Sequence, residues 1–318
     1  MVRSSVSRFG FLAASGAAAA LPALGIPAYA ESNLTVMLMG GVPTDDMVHV
    51  FWALKQGLYE KAGIDLRYTP TSSGTAATTA VVAGANQVGK GSLLSTLNAH
   101  IKKLPIVVLA NGSIWNPKIE FNALVTAADQ PYKTGSDLNG STIGVPALND
   151  LNGLVISAWV DQHGGDSKTL KFVEVPNSAI QAALLEHRVA AAALQQPELT
   201  AALESGKMRK LGLPYSAVSD NFVFGSFFAN ADWAAKNPAA AKAFAKVTLE
   251  AAAYTNTHHK ETEQLMADES KLPIETIHKM ARVEAATKND PQLIQPLIDA
   301  AAKYHFIPAA FPAKDLYS

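Results

Sequence analysis

Short apolar stretches that alternate like strands take turns, along most of this chain, with stretches repeating every three to four residues like helices. That alternation confines it to an α/β architecture with sheet strands covered by helices. Asn33–Met39 reads as a strand, followed by a Gly-Pro loop and a helix from about Asp46 to Tyr59, where Val48, Phe51, Leu54 and Leu58 share one face. Ile64, Leu66 and Tyr68 alternate as a half-buried strand before a Ser-Ser-Gly-Thr turn and a helix through about Gly84. Val88 marks a short strand, Leu94, Leu97 and Ile101 the next helix, and Pro105–Ala110 another apolar strand. The pattern predicts a parallel sheet with helices on both faces.

A second series starts near Phe121. Its expected strands are Phe121–Thr126, Thr142–Pro146, Leu170–Val175 and Val189–Leu194, with helices beginning near Asn152 and Ala179 and a Gly164-Gly165 C-cap ending the first. Asn221–Asn230 is long enough to cross between two sheets as one strand, and beyond it the chain turns helical. Two α/β lobes joined by two crossovers fit this order, with the boundaries 31–121 plus 228–318 for the first lobe and 122–227 for the second.

The first thirty residues read differently. Arg3 and Arg8 precede the apolar, alanine-rich stretch Phe9–Ile26, and Ala28-Tyr29-Ala30 provides a small-x-small cleavage site. That order is a secretory signal peptide, residues 1–30, so the expected location is the periplasm, by Sec or Tat-like export. The remaining 288 residues carry 24 Lys and Arg against 27 Asp and Glu, a net charge of −3. No basic run is present, which disfavours nucleic acid as a partner. The absence of cysteine removes disulfides, thiolate nucleophiles and zinc–thiolate sites together.

Three stretches carry a resemblance. Gly57-Leu58-Tyr59-Glu60-Lys61-Ala62-Gly63-Ile64-Asp65-Leu66 resembles a "G-x-F/Y, x-x-x-G-I/L-D/E-V" motif, and Asp137-Leu138-Asn139-Gly140-Ser141-Thr142-Ile143-Gly144-Val145 is similar to "D-L-K-G-K-x-I-G-V". Ala182-Ala183-Leu184-Leu185, with Val189-Ala190-Ala191-Ala192 and Pro197, follows "A-L-x-x-G-x-V-D-A…P". Together they resemble the periplasmic substrate-binding proteins of ABC importers in the sulfonate/taurine/nitrate and thiamine-pyrimidine (SsuA/TauA- and THI5-like) group. The chain departs from the pattern at His187 and Ala190, which replace a glycine and an aspartate, and at Asn86 or Gln87 in place of a first-lobe aspartate. The resemblance implies a type II periplasmic-binding-protein fold, with two α/β lobes, two hinge crossovers and a ligand cleft between them. It also implies a small-molecule ligand, an ABC permease with its ATPase as partner, and a monomer.

Ligands in open α/β sheets sit beyond the carboxyl ends of strands, where helix N-termini offer unpaired N–H groups. Ser73-Gly74-Thr75, Gly91-Ser92 and the Asn149–Asn152 turn occupy such positions. Each also serves equally as a helix cap. Thr44 and Asp45 follow the first strand, Gln195 and Glu198 flank Pro197 at the end of a second-lobe strand, and Trp115 near the first crossover could stack on a planar ligand. The nearby bases are Lys90 and Lys118, against Asp45, Asp46, Asp150 and Glu198, which favours an organic ligand with a hydrogen-bonding, amine-type headgroup over a dianion.

No H-E-x-x-H, G-x-S-x-G or P-loop occurs. Adjacent His258 and His259 point apart on a helix and make a poor metal pair. No cofactor, metal or catalytic residue is expected. The protein reads as a binder of a sulfonate, aromatic or pyrimidine/amine compound. A cysteine-independent enzyme on the same fold and a sensor-type binding protein are the alternatives.

Overall fold

The computed structural model describes residues 34–317, so the expected signal peptide lies outside the described residues. In the first series, β1 (Thr35–Gly41) leads through a 3-10 turn (Asp45–Met47) into α1 (Val48–Lys55) and α2 (Leu58–Lys61). The helix expected as one piece from Asp46 is therefore three. Its break falls at Gly57, whose φ of 63° lies in the left-handed region that glycine enters without a Cβ penalty. Next come β2 (Ile64–Pro70), α3 (Gly74–Val82), β3 (Val88–Ser92), α4 (Leu93–Ile101) and β4 (Ile106–Asn111), then a short β5 (Ser113–Trp115).

The second series is β6 (Asn122–Ala127), β7 (Thr142–Val145), α5 (Leu151–Gln162), β8 (Lys171–Glu174), α6 (Asn177–Leu185), β9 (Ala191–Gln195), α7 (Glu198–Glu204) and β10 (Met208–Gly212). The chain returns through β11 (Phe222–Val223) and β12 (Gly225–Asn230). It ends in α8 (Ala231–Lys236), α9 (Pro238–Thr255), α10 (His259–Ser270), α11 (Ile274–Lys279), β13 (Glu284–Ala285) and α12 (Gln295–Lys303).

Two five-stranded sheets result, ordered β2-β1-β3-β12-β4 and β10-β6-β9-β7-β8. The first is not wholly parallel, contrary to expectation, and neither is the second. β12 runs antiparallel between β3 and β4, and β6 runs antiparallel to both β9 and β10. The expected single strand 221–230 also divides at Phe224, because its first part pairs elsewhere. β11 and β5, the two connections between the sheets, pair with each other, and β5 also pairs with β13, in a small third sheet. Both crossovers are thereby stitched together.

The first sheet buries Met37, Met39, Ile64 and Phe227 against Phe51 and Tyr59 from the α1–α2 segment and Phe244 of α9. Every residue of α5 from Leu151 to Val160 is buried, as befits a helix apolar on all sides. Ile156, Trp159 and Val160 face the second sheet. Leu151, Leu154 and Val155 instead join Leu93, Leu94 and Leu97 of α4 and Leu297, Ile298 and Ala301 of α12. The N-terminal half of α5 thus packs on helices that belong with the first sheet, which holds the carboxyl ends of both sheets close to one another. Among the described residues no helix is long and apolar enough to cross a membrane.

Candidate functional site

A cavity of about 110 Å³ lies where the carboxyl ends of the two sheets approach. One wall comes from the loop after β1 (Val42, Thr44, Asp46), the start of α3 (Ser73, Gly74, Thr75) and the end of β3 (Lys90, Gly91, Ser92). The other comes from the start of α5 (Asp150, Leu151, Asn152), the end of β9 (Ala193, Leu194, Gln195), Glu198 of α7 and Tyr215. Of the residues expected from sequence, Thr44, Ser73, Gly74, Thr75, Gly91, Ser92, Asn152, Gln195 and Glu198 meet here.

Three others do not. Asp45 is fully buried, paired through Oδ1 with Arg282 Nε at 2.8 Å and accepting from the Val283 amide at 2.7 Å. Burial pushes its carboxyl pKa up, and the Arg282 guanidinium opposes that shift. Trp115 is core: its ring lies 5.2 Å from that of Tyr215, and Nε1 donates to Ser216 Oγ at 3.3 Å. Asn149 has a φ of 57° and is exposed. It borders an outer groove with Leu148, Thr78 and Phe306 instead.

The helix starts facing the cavity are already capped. Ser73 Oγ accepts from the Ala76 amide at 3.1 Å, and Ser92 Oγ from that of Ser95 at 3.3 Å. Asp150 Oδ1 accepts from the Gly153 amide at 3.0 Å. Capping and cavity lining therefore coincide in the same side chains, because a cap sits at the strand-to-helix turn where the cavity opens. Gly74 and Gly91 serve each other. A Cβ on Gly74 would lie 2.9 Å from the Ser92 nitrogen, and one on Gly91 would lie 2.8 Å from the Gly74 oxygen. Since both obstacles are backbone, Gly74→Ala should destabilise the fold by about 1–3 kcal/mol in urea denaturation, the cost of overpacking. An unchanged midpoint would show that α3 can move away freely.

Charge in the site is uneven. Lys90 contacts Asp46, which also accepts from Thr44 Oγ1 at 2.5 Å and Ser113 Oγ at 2.9 Å. Burial pushes the Lys90 ammonium down to about 7, and the touching carboxylate of Asp46 acts in the opposite direction. On the far wall burial pushes Asp150 up to about 7 and raises Glu198. Asn152 Nδ2 donates to Asp150 Oδ2 at 3.3 Å, while its buried Oδ1 has no partner. Gln195 Nε2 donates to Tyr215 Oη at 3.2 Å. Asp46 and Lys90 stand in the sequence as charges beside the expected residues and Asp150 as part of the Asn149–Asn152 turn, whereas Tyr215 sits in a 3-10 turn with no sequence signal.

Among the described residues no cluster of His, Asp or Glu suits a metal ion.

Comparison with known proteins agrees with this fold. No curated protein sequence matches. Among solved structures, the periplasmic aliphatic sulphonate binding protein SsuA from Escherichia coli superposes with a TM-score of 0.68 at 19% identity, covering 88% of this chain and 91% of that one. The nitrate-binding protein NrtA from Synechocystis PCC 6803 gives 0.74 at 15% identity, covering 89% and 85%. The alkanesulfonate-binding protein SsuA from Xanthomonas axonopodis pv. citri, bound to MOPS, gives 0.71 at 14% identity, covering 88% and 97%. At these identities the likeness is one of fold, the periplasmic binding protein fold. Residues 45–262 match the family model described as NMT1/THI5 like, and with more than half its length inside that match this chain belongs to the NMT1/THI5-like family.

Proposed function

We propose that this protein is the periplasmic solute-binding component of an ABC importer. It closes two lobes, residues 31–121 with 228–318 and residues 122–227, around a small organic ligand of the sulfonate, aromatic or pyrimidine/amine class. As a monomer it delivers that ligand to a membrane permease driven by an ATPase, without chemical change. The observation that carries this reading is the cavity itself, whose polar wall residues come from the carboxyl ends of strands in both sheets. Contacts from two halves to one solute favour the shut state over the open one. Direct links across the gap exist as well: the Asp45 amide donates to Gln196 O at 3.4 Å, and Lys279 Nζ pairs with Glu204 at 2.5 Å.

The test is a thermal-shift screen of sulfonates, aromatic acids, pyrimidines and amines, followed by X-ray scattering with each hit. A ligand present at about 100 times its dissociation constant should add about 2.7 kcal/mol of stability and reduce the radius of gyration. A hit that leaves the scattering curve unchanged, or a product accumulating during incubation, would overturn the proposal.

A further inference from the structure

We infer that the solute taken by this cleft presents a protonated amine, received on the wall formed by the starts of α5 and α7 and the end of β9. The inference deepens the cleft reading above and rests on it.

The lining holds three carboxylates, Asp46, Asp150 and Glu198, and one cation, Lys90. Lys90 is in contact with Asp46, so its charge is answered within the protein. Neither Asp150 nor Glu198 forms an ion pair with any described residue. Both are buried enough that desolvation raises their pKa values, which is the condition a bound cation would relieve. Beside them lies a buried side-chain acceptor without a partner. Asn152 is 8% exposed, and its amide is oriented by the Nδ2 bond to Asp150, leaving Oδ1 buried and unpaired. The bond from Gln195 Nε2 to Tyr215 Oη fixes that amide in turn, with its carbonyl oxygen as an acceptor on the same wall.

An unpaired buried acceptor is costly unless something donates to it, and a cavity-lining one is satisfied by the ligand. An ammonium supplies three donors and the missing charge at once. An anion meets the opposite conditions here. The N-terminus of α5, which elsewhere in such folds could receive one, is closed by the Asp150 carboxylate on the Gly153 amide. The facing wall offers the hydroxyls of Ser73, Thr75 and Ser92 beside the mutually paired Lys90 and Asp46, which suits the rest of the molecule.

The experiment is calorimetric titration of the full-length mature protein with propyl-, butyl- and benzylammonium chlorides. The carboxylates and sulfonates bearing the same hydrocarbon groups, together with nitrate, form the comparison set. Scattering is recorded at saturation. The ammonium salts should bind at least about tenfold more tightly than their anionic counterparts. Glu198→Gln and Asn152→Leu should each weaken them about ten- to a hundredfold, the range for a hydrogen bond to a charged group. Anions binding more tightly, binding by neither set, or variants that bind ammonium as well as the parent would each overturn the inference. Anions that bind and contract the molecule would leave the cleft reading intact while removing the amine. Ammonium binding without contraction and without sensitivity to Glu198 would remove both.

Discussion

Replacing Arg282 with methionine should destabilise the protein by about 3–5 kcal/mol, the usual consequence of stripping one partner from a buried ion pair. Its guanidinium donates to Asp45 Oδ1, to His259 O at 3.0 Å and to Thr262 Oγ1 at 2.9 Å. Both charged side chains are almost wholly enclosed, 8% and 1% exposed. Without the arginine, Asp45 keeps only the Val283 amide, and a carboxylate whose pKa burial already raises must either ionise unpaired or take up a proton. The cost arises from the stranded charge more than from the pair's own strength. Adding Asp45→Leu to Arg282→Met should therefore recover much of the loss. A double-mutant cycle in urea measures this. A single Arg282→Met variant within about 1 kcal/mol of the parent would show that the loop after β1 reorganises around Asp45.

That pair also shows where sequence reading stops. Asp45 and Asp46 are neighbours on a 3-10 turn, and both read as cleft or cap candidates after the first strand. In the fold one turns to Arg282, 237 positions away, and the other to Lys90. Periodicity reports which face of an element is apolar, but not which distant cation will arrive beside a given carboxylate. The same limit applies at Asn149 and Asn152. Both belong to one turn, yet the left-handed backbone at Asn149 sends it outward while Asn152 faces the cavity. What was legible follows from local rules. Ser73, Ser92 and the Asp150 turn announce helix starts after strands, and helix starts after strands are where such folds open their clefts. Strand direction was not legible. β12 has the same alternation whether it runs parallel or antiparallel to β3, and only the second crossover decides. Trp115 reads as a stacking surface because an aromatic beside a polar loop has that use. Its pairing opposite Phe222 in the small third sheet makes it core instead.

Asp150→Asn should make the ligand-free protein more stable at neutral and alkaline pH, with a gain approaching 4 kcal/mol. The native carboxyl titrates at about 7 and its ordinary value is 3.8. Burial is the main cause. The Gly153 and Asn152 hydrogen bonds act against it, and Glu174 adds to it. Between those two pH values the folded protein binds the proton that the unfolded chain has released. The contribution of Asp150 is therefore most favourable in acid, falls as pH rises towards about 7, and levels off above it. A difference of about three units at 1.36 kcal/mol each sets the limit of about 4 kcal/mol. Asparagine caps a helix as well as aspartate does, so the Gly153 contact survives the change. The bond from Asn152 Nδ2 would face a second amide, and its loss would subtract about 1 kcal/mol. His49 contributes in the other direction. Burial lowers it to about 4, so it removes stability as pH falls from 6.5, but parent and variant share that effect and it cancels in their difference. Denaturation of both proteins at about pH 4 and about pH 8 should give curves that converge in acid and separate in base. Parallel curves would mean that Asp150 stays solvated in the free protein. Separation in base would instead make the carboxylate a cost in the free protein, one that the inferred cationic solute would offset, and the stabilised variant should then bind such a solute worse.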